Sequence, residues 1–179
     1  MMPKIQMKDL FDVLVDEVPE GASILDIGIG DGQLTEKFAK QINPKFLKGI
    51  ETEPKTICEA LSSSKVELLY NQPIQSLLEE NKYDLVIMFR TLHYTSFPEP
   101  EEAILIAKKL LVKNGLLLLG LELAPNINDG DRRFVNMQAV EEKLRVHHFN
   151  SVYCGQVDEY DLKYSHTHIL LYRLLQSNT

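Results

Sequence analysis

Only two cysteines occur in the 179 residues, Cys58 and Cys154, far apart in sequence and in no metal-ligand pairing. That scarcity argues against a disulfide framework or a zinc cluster, and reduced thiols of an intracellular protein are expected. Cationic residues are also in deficit: 19 Lys and Arg stand against 26 Asp and Glu, a formal net charge of −7. Non-specific attraction to nucleic acid depends on Lys and Arg neutralising phosphates, so that partner class is disfavoured. Long apolar runs are missing, the longest lying near Gly115–Leu123, and the N-terminal M-M-P-K-I-Q-M-K-D-L-F has no apolar signal core. A membrane span and a secretion signal are therefore not expected. Internal repeats, linkers and low-complexity tracts are lacking too. What remains, 44% hydrophobic and 25% charged, is the composition of one soluble, cytoplasmic globular domain with a substantial core.

The most informative stretch is Ser23–Phe38, S-I-L-D-I-G-I-G-D-G-Q-L-T-E-K-F. A short apolar run (Ile24, Leu25, Ile27) ends in glycines, and helical spacing starts at once with Leu34 and Phe38. This is a strand, a tight turn and a helix N-terminus in succession. Gly28, Gly30 and Gly32 can take positive φ and admit a ligand to the backbone. The helix that follows directs its unpaired amides into the same space. A dinucleotide-binding turn would read G-x-G-x-x-G. Here the third glycine comes one residue early, Gln33 follows it, and the carboxylate of Asp26 precedes the first. A carboxylate at that place repels a pyrophosphate but suits an ammonium or sulfonium group. The turn therefore favours a nucleoside with a cationic tail over NAD.

Elsewhere, Ile5, Leu10, Phe11, Leu14 and Val18 predict one amphipathic helix over Ile5–Val18. Asp31 is the expected N-cap of a helix running to about Ile42, which Asn43-Pro44 stops. Strands are expected at Phe46–Glu51, Val66–Tyr70, Tyr83–Phe89 and Leu116–Glu122. Helices are expected from Pro54 to about Leu61, over Pro73–Glu80, and over Glu99–Val112 with Asn114-Gly115 closing it. Such alternation gives a parallel, doubly wound α/β sheet. After the turn-rich Ala124–Asp131 come a helix over Phe134–His147 and strands at Ser151–Val157 and Thr167–Leu174. A loop alone joins that last pair, so it should be antiparallel.

Taken together, these features resemble class I S-adenosylmethionine-dependent methyltransferases over essentially the whole chain. Ile24–Gly32 fits the family's acid-x-Gly-x-Gly-x-Gly signature, and Glu51 fits its ribose-binding acid. Tyr83–Tyr94 resembles the fourth-strand motif, and Leu110–Leu119 the helix–turn–strand before the end of strand five. The context of His93 and the Pro98-Glu99-Pro100 helix start are most similar to the small-molecule branch containing quinone-biosynthesis methyltransferases. The resemblance implies a Rossmann-like, seven-stranded, mostly parallel sheet with helices on both faces, its antiparallel last strand inserted beside the fifth. It implies one domain over residues 1–179: an N-terminal helix in 1–20, a cofactor-binding half in 21–123 and a substrate-side half in 124–179. The implied cofactor is S-adenosylmethionine. Asp26 would orient its amino group, Gly28 and Gly30 would lie against methionine and ribose, and Glu51 would accept from the ribose hydroxyls. Thr52 would lie along the adenosine, and Arg90 would line the methionine end, mainly through its backbone. Two departures stand out. The family's Gly-Asp after strand three is replaced by Asn71 and Gln72, leaving Gln72 to accept from adenine without a charge. The segments where relatives build a lid are short, which fits an open pocket, a large substrate, or a homodimer or partner subunit that completes the site.

Methyl transfer from a sulfonium is an in-line displacement in which positioning does much of the work. Where a base is needed, His93 and Tyr94 are the candidates, because they follow strand four at the edge where ligands bind such sheets. The competing reading has His93 capping its loop or touching the cofactor without proton transfer. Arg132 and Arg133 could meet an anionic substrate, although a solvated helix start is the preferred reading. Phe134, Met137, Tyr153 and Tyr160 could line a substrate mouth, with core packing preferred. His166 and His168 share a strand face but lack a third ligand, so no metal is expected, and His147-His148 suits a helix C-terminus. The expected function is methyl transfer to a small molecule, the alternative a non-catalytic methyltransferase-like binding or scaffolding subunit. No N/D-P-P-Y/F tetrad follows strand four, where R-T-L-H stands, which disfavours adenine, cytosine or glutamine amide nitrogen as acceptor.

Overall fold

Eight strands and four helices organise the residues that the computed structural model describes, which are 2–51, 66–70, 74, 82–94, 96–122, 131–157 and 167–175. In chain order they are β1 (Lys4–Ile5), α1 (Met7–Glu17), β2 (Ser23–Ile27), α2 (Gln33–Ile42), β3 (Phe46–Glu51) and β4 (Val66–Tyr70). There follow β5 (Tyr83–Phe89), α3 (Pro100–Leu110), β6 (Leu111–Glu122), α4 (Met137–Val146), β7 (Phe149–Val157) and β8 (Thr167–Leu174). The helices expected over Pro54–Leu61 and Pro73–Glu80 lie outside the described residues, apart from Ile74.

All the strands share one sheet in the order β1-β7-β8-β6-β5-β2-β3-β4. The pairs from β6 through β5, β2 and β3 to β4 are parallel. β8 runs antiparallel to both neighbours, β6 and β7. This is the Rossmann-like, doubly wound sheet expected, with its late antiparallel strand inserted beside the fifth long one. The two-residue β1 extends it by pairing parallel to Gln156 and Val157 of β7.

Alternation along each strand feeds two apolar layers. Leu25, Ile27, Met88, Leu117 and Leu119 face the layer of α3 and α4. Ile24, Leu85, Ile87, Leu116 and Leu118 face that of α1 and α2. Both faces are thus covered, which is why β5 and β6 read as nearly unbroken apolar runs.

Four boundaries differ from expectation, each for a local reason. Ile5 leaves the first helix for β1, because Asp9 reaches back to the Gln6 amide at 2.8 Å and fixes the helix start there. The side chain of Ile5 instead packs where Gly155 of β7 has no Cβ. Gly32, at φ 71°, caps α2 in place of Asp31, whose carboxylate still accepts from the Gln33 amide at 3.1 Å. α3 stops at Leu110, and Leu111 already pairs with Tyr83 of β5. A register shift then absorbs the turn at Asn114, whose φ is 61°. Asn136 caps α4 by accepting from the Ala139 amide at 3.1 Å, so that helix starts later than Phe134.

Candidate functional site

The carboxyl ends of β3, β2, β5 and β6 and the start of antiparallel β8 meet at one edge of the sheet, where ligands bind in open α/β folds. At β2 the chain turns sharply over the end of β3. The amides of Gly28 and Ile29 both donate to the Ile50 carbonyl, at 2.8 and 3.0 Å. Gly28 has φ 77°, and a Cβ there would lie 2.4 Å from the Thr91 methyl, so only glycine lets the β5 loop close in. Gly30 has φ 57°, and nothing lies within 4 Å of where its Cβ would be. The turn is therefore packed from below at Gly28 and open above at Gly30.

Two carboxylates flank this opening. Glu51 accepts from the Gly30 amide at 2.8 Å. Asp26 is buried, one of its oxygens accepting from the Thr35 hydroxyl of α2. Its other oxygen, Oδ1, has no partner among the described residues. Burial pushes the Asp26 carboxyl up to about 7; the Thr35 hydrogen bond opposes this and the Glu51 charge adds to it. A buried, half-satisfied carboxylate beside an open glycine turn is a receptor for a cationic donor. The residues present therefore fit a nucleoside with an ammonium-bearing tail.

Across β5 the chemistry changes sign. Arg90 takes φ 59°, unusual for a non-glycine residue, and its side chain pairs with Glu122 at the end of β6. Arg132 pairs with the other oxygen of Glu122 at 2.9 Å, donates to the Tyr94 hydroxyl at 2.9 Å and stacks 4.9 Å from that ring. Arg133 is consumed in structure: it donates to the carbonyls of Leu92, Phe97 and Pro98 and pairs with Glu99. The preferred reading of these arginines as a solvated helix start is corrected here, since both tie the segment before α4 onto the loop after β5.

His93 lies fully buried beneath this group. Its Nε2 accepts from the Glu122 amide at 2.8 Å, which places the proton on Nδ1, 3.3 Å from the Arg133 carbonyl. Burial holds its pKa below 6.5, Arg132 and Arg90 act in the same direction, and the Arg133 carbonyl and Glu122 oppose them. Both ring nitrogens are thus engaged with backbone, and Tyr94 is engaged with Arg132.

The structure brings Asp26, Gly28, Gly30, Glu51, Arg90, His93 and Tyr94 to one edge, while Thr52 and Gln72 lie outside the described residues. Of the possible mouth residues, Phe134 is exposed, Met137 and Tyr153 pack against the two apolar layers, and Tyr160 lies outside the described residues. His168 contacts the Met2 sulfur at 3.0 Å, His166 is outside, and no three metal-ligating side chains gather among the described residues. Three polar participants went unread in the sequence: Thr35, Glu122 and Thr167. Glu122 carried a usable signal, an acid ending an apolar strand, the same pattern that marked Glu51.

A family model described as a methyltransferase domain matches residues 25–117. No curated protein matches significantly. Among solved structures, the chain is similar to 1,6-didemethyltoxoflavin-N1-methyltransferase of Burkholderia thailandensis, solved with 1,6-didemethyltoxoflavin and S-adenosylhomocysteine. The TM-score is 0.75 at 19% identity, over 95% of this chain and 78% of that one. It is similar also to the N-methyltransferase NodS of Bradyrhizobium japonicum bound to S-adenosylhomocysteine, with TM-score 0.70, 20% identity, and 94% and 85% of the two chains covered. A methyltransferase of Haloferax volcanii in complex with the Trm112 methyltransferase activator gives TM-score 0.76 at 11% identity, over 97% and 93%. At these identities the structural likeness speaks for the fold.

Proposed function

The chain belongs to the methyltransferase-domain family and is an S-adenosylmethionine-dependent methyltransferase; from that premise we propose that it methylates a small molecule, in the manner of the quinone-biosynthesis branch. The observation that carries the placement of the cofactor is the unpartnered Oδ1 of buried Asp26 beside the open turn at Gly30. When bound, S-adenosylmethionine supplies a sulfonium-activated methyl group to a nucleophile.

Asp26 receives the ammonium group, and the arriving cation favours the ionised carboxylate that burial alone resists. Gly28 and Gly30 offer backbone where side chains would intrude. Glu51, already held by the Gly30 amide, presents acceptors to the ribose hydroxyls. The backbone of Arg90 lines the methionine end, with Thr52 and Gln72 along the adenosine. His93 is a strut that fixes the end of β6 through the Glu122 amide, which is the non-catalytic alternative for this residue. Tyr94 holds Arg132 through its hydroxyl. Rigid alignment of donor and acceptor can lower a displacement barrier by about 7–11 kcal/mol, so the site needs no strong base for a nucleophile that is already deprotonated. The cytoplasm is the proposed compartment, and a second copy or partner subunit is the proposed cover for the short lid.

Calorimetric titration with S-adenosylmethionine and S-adenosylhomocysteine tests this reading. Binding should be micromolar and weaken about tenfold or more in Glu51→Ala and Asp26→Asn, since hydrogen bonds to charged groups contribute roughly 1.5–3 kcal/mol. Absence of heat and of thermal shift with either ligand, from folded protein, would overturn it. Release of S-adenosylhomocysteine across phenolic, amine and thiol acceptors then identifies the acceptor atom.

A further inference from the structure

We propose that the acceptor is an acid, and that its carboxylate is taken by Arg90 and Arg132, which the structure holds on either side of Glu122. The proposal rests on the methyl-transfer reading and deepens it by naming the substrate class.

Neighbouring strands in the order β3-β2-β5-β6-β8 each bring a polar group to the same edge. Glu51 ends β3, Asp26 lies near the end of β2, Arg90 follows β5, Glu122 ends β6 and Thr167 opens β8. Strand alternation sets Asp26, Glu51, Glu122 and Thr167 on one face of the sheet, that of α1 and α2. With about 4.8 Å between strands, the row has an acidic end at β3 and β2 and a cationic end at β5 and β6. The acidic end suits the cationic tail of the cofactor. The other end holds two guanidiniums around one carboxylate, a surplus of one positive charge in a chain of net −7.

A purely structural ion pair needs one arginine per carboxylate. Arg133 shows what a structural arginine looks like here: three carbonyls and Glu99 enclose it, and its side chain is only 16% exposed. Arg90 and Arg132 are 38% and 24% exposed and share the single buried acid. Planar guanidiniums in that arrangement match a carboxylate. Thr167 pairs directly with Glu122 across β6 and β8, and its fully buried hydroxyl has no partner among the described residues. Its proton is suited to the same anion. In this assignment Glu122 is a built-in counter-ion: it keeps the two arginines together before the acceptor arrives and competes with the acceptor afterwards.

That competition gives the test its sign. Protein loaded with S-adenosylhomocysteine is titrated with benzoate, phenylacetate and salicylate and with the matching amides, by saturation-transfer NMR. The carboxylates should bind about tenfold or more tighter than their amides and weaken with salt. Arg132→Gln should lose about tenfold in carboxylate affinity, Arg132→Lys should lose less, and Glu122→Gln should gain severalfold. A merely structural cluster would weaken in Glu122→Gln as it does in Arg132→Gln, because either change breaks the same bridge. Absence of carboxylate binding, equal binding of acids and amides, or loss in Glu122→Gln overturns the proposal. Tyr94→Phe, which removes only the hydroxyl partner of Arg132, serves where Arg132→Gln fails to fold, and should weaken carboxylate binding; unchanged affinity there counts against the proposal. Affinity for S-adenosylhomocysteine in the same samples separates the two readings. Its absence in the unaltered protein sinks methyl transfer itself, while its retention without carboxylate binding sinks only the acidic acceptor.

Discussion

Asp26 carries a conflict between stability and binding in a single side chain. Its carboxyl titrates near 7 in the folded chain against an ordinary 3.8, so the folded state holds an extra proton between those values. Stability from this group is full below about pH 4 and falls as pH rises towards 7, by up to about 1.4 kcal/mol per pH unit. Asp26→Asn removes that slope. At pH 8 the ligand-free variant should be more stable than the parent by roughly 1–4 kcal/mol, while binding S-adenosylhomocysteine more weakly; parallel melts and titrations at pH 5 and 8 check both. Gly28 is constrained twice, by φ 77° and by the Thr91 methyl. Gly28→Ala should cost at least about 1–3 kcal/mol for the backbone alone, and adding Thr91→Ser should recover the overlap but not that part, as denaturant midpoints will show. The roles of Asp26 and Glu51 were legible because an acid beside a glycine turn is a local pattern. Those of Glu122 and Thr167 were not, since they become neighbours only across the β6–β8 pairing.

Most elements were legible from periodicity, and the errors fell where tertiary contacts decide the boundary. Ile5 keeps perfect helical spacing with Leu10 and Phe11, yet it lies in β1 because Gly155 leaves room for it on β7. A Cβ at Gly155 would sit 2.7 Å from the Ile5 side chain. Gly155→Ala should therefore loosen β1 with little effect on the global transition. Faster hydrogen exchange at the Gln156 amide, which bonds to the Pro3 carbonyl at 2.9 Å, is the readout. The start of α4 was misplaced because the apolar residues before it suggested helix. Asn136 caps it instead, and Asn136→Ala should cost about 1 kcal/mol in a denaturant melt.

At the scale of the molecule, the sheet separates two apolar layers that nevertheless belong to one cooperative unit. Leu118 and Leu119 are adjacent in β6 and buried in opposite layers. Leu118→Ala and Leu119→Ala should each cost about 2–5 kcal/mol and each lower a single shared transition seen by circular dichroism and tyrosine fluorescence. Two separate transitions would show the layers to be independent. The order of strands was legible only through family resemblance, because spacing in the sequence gives the direction of a late hairpin but not its slot. That slot has a consequence for how the chain comes to be made. β8, the latest strand in the sequence, lies between β6 and β7, and β1, the earliest, reaches the sheet only through β7. On a ribosome the earliest strand therefore has nowhere to dock until the latest has emerged. The nascent chain must wait with β6 open along one side, a stretch of translation in which a holding chaperone would find its binding site.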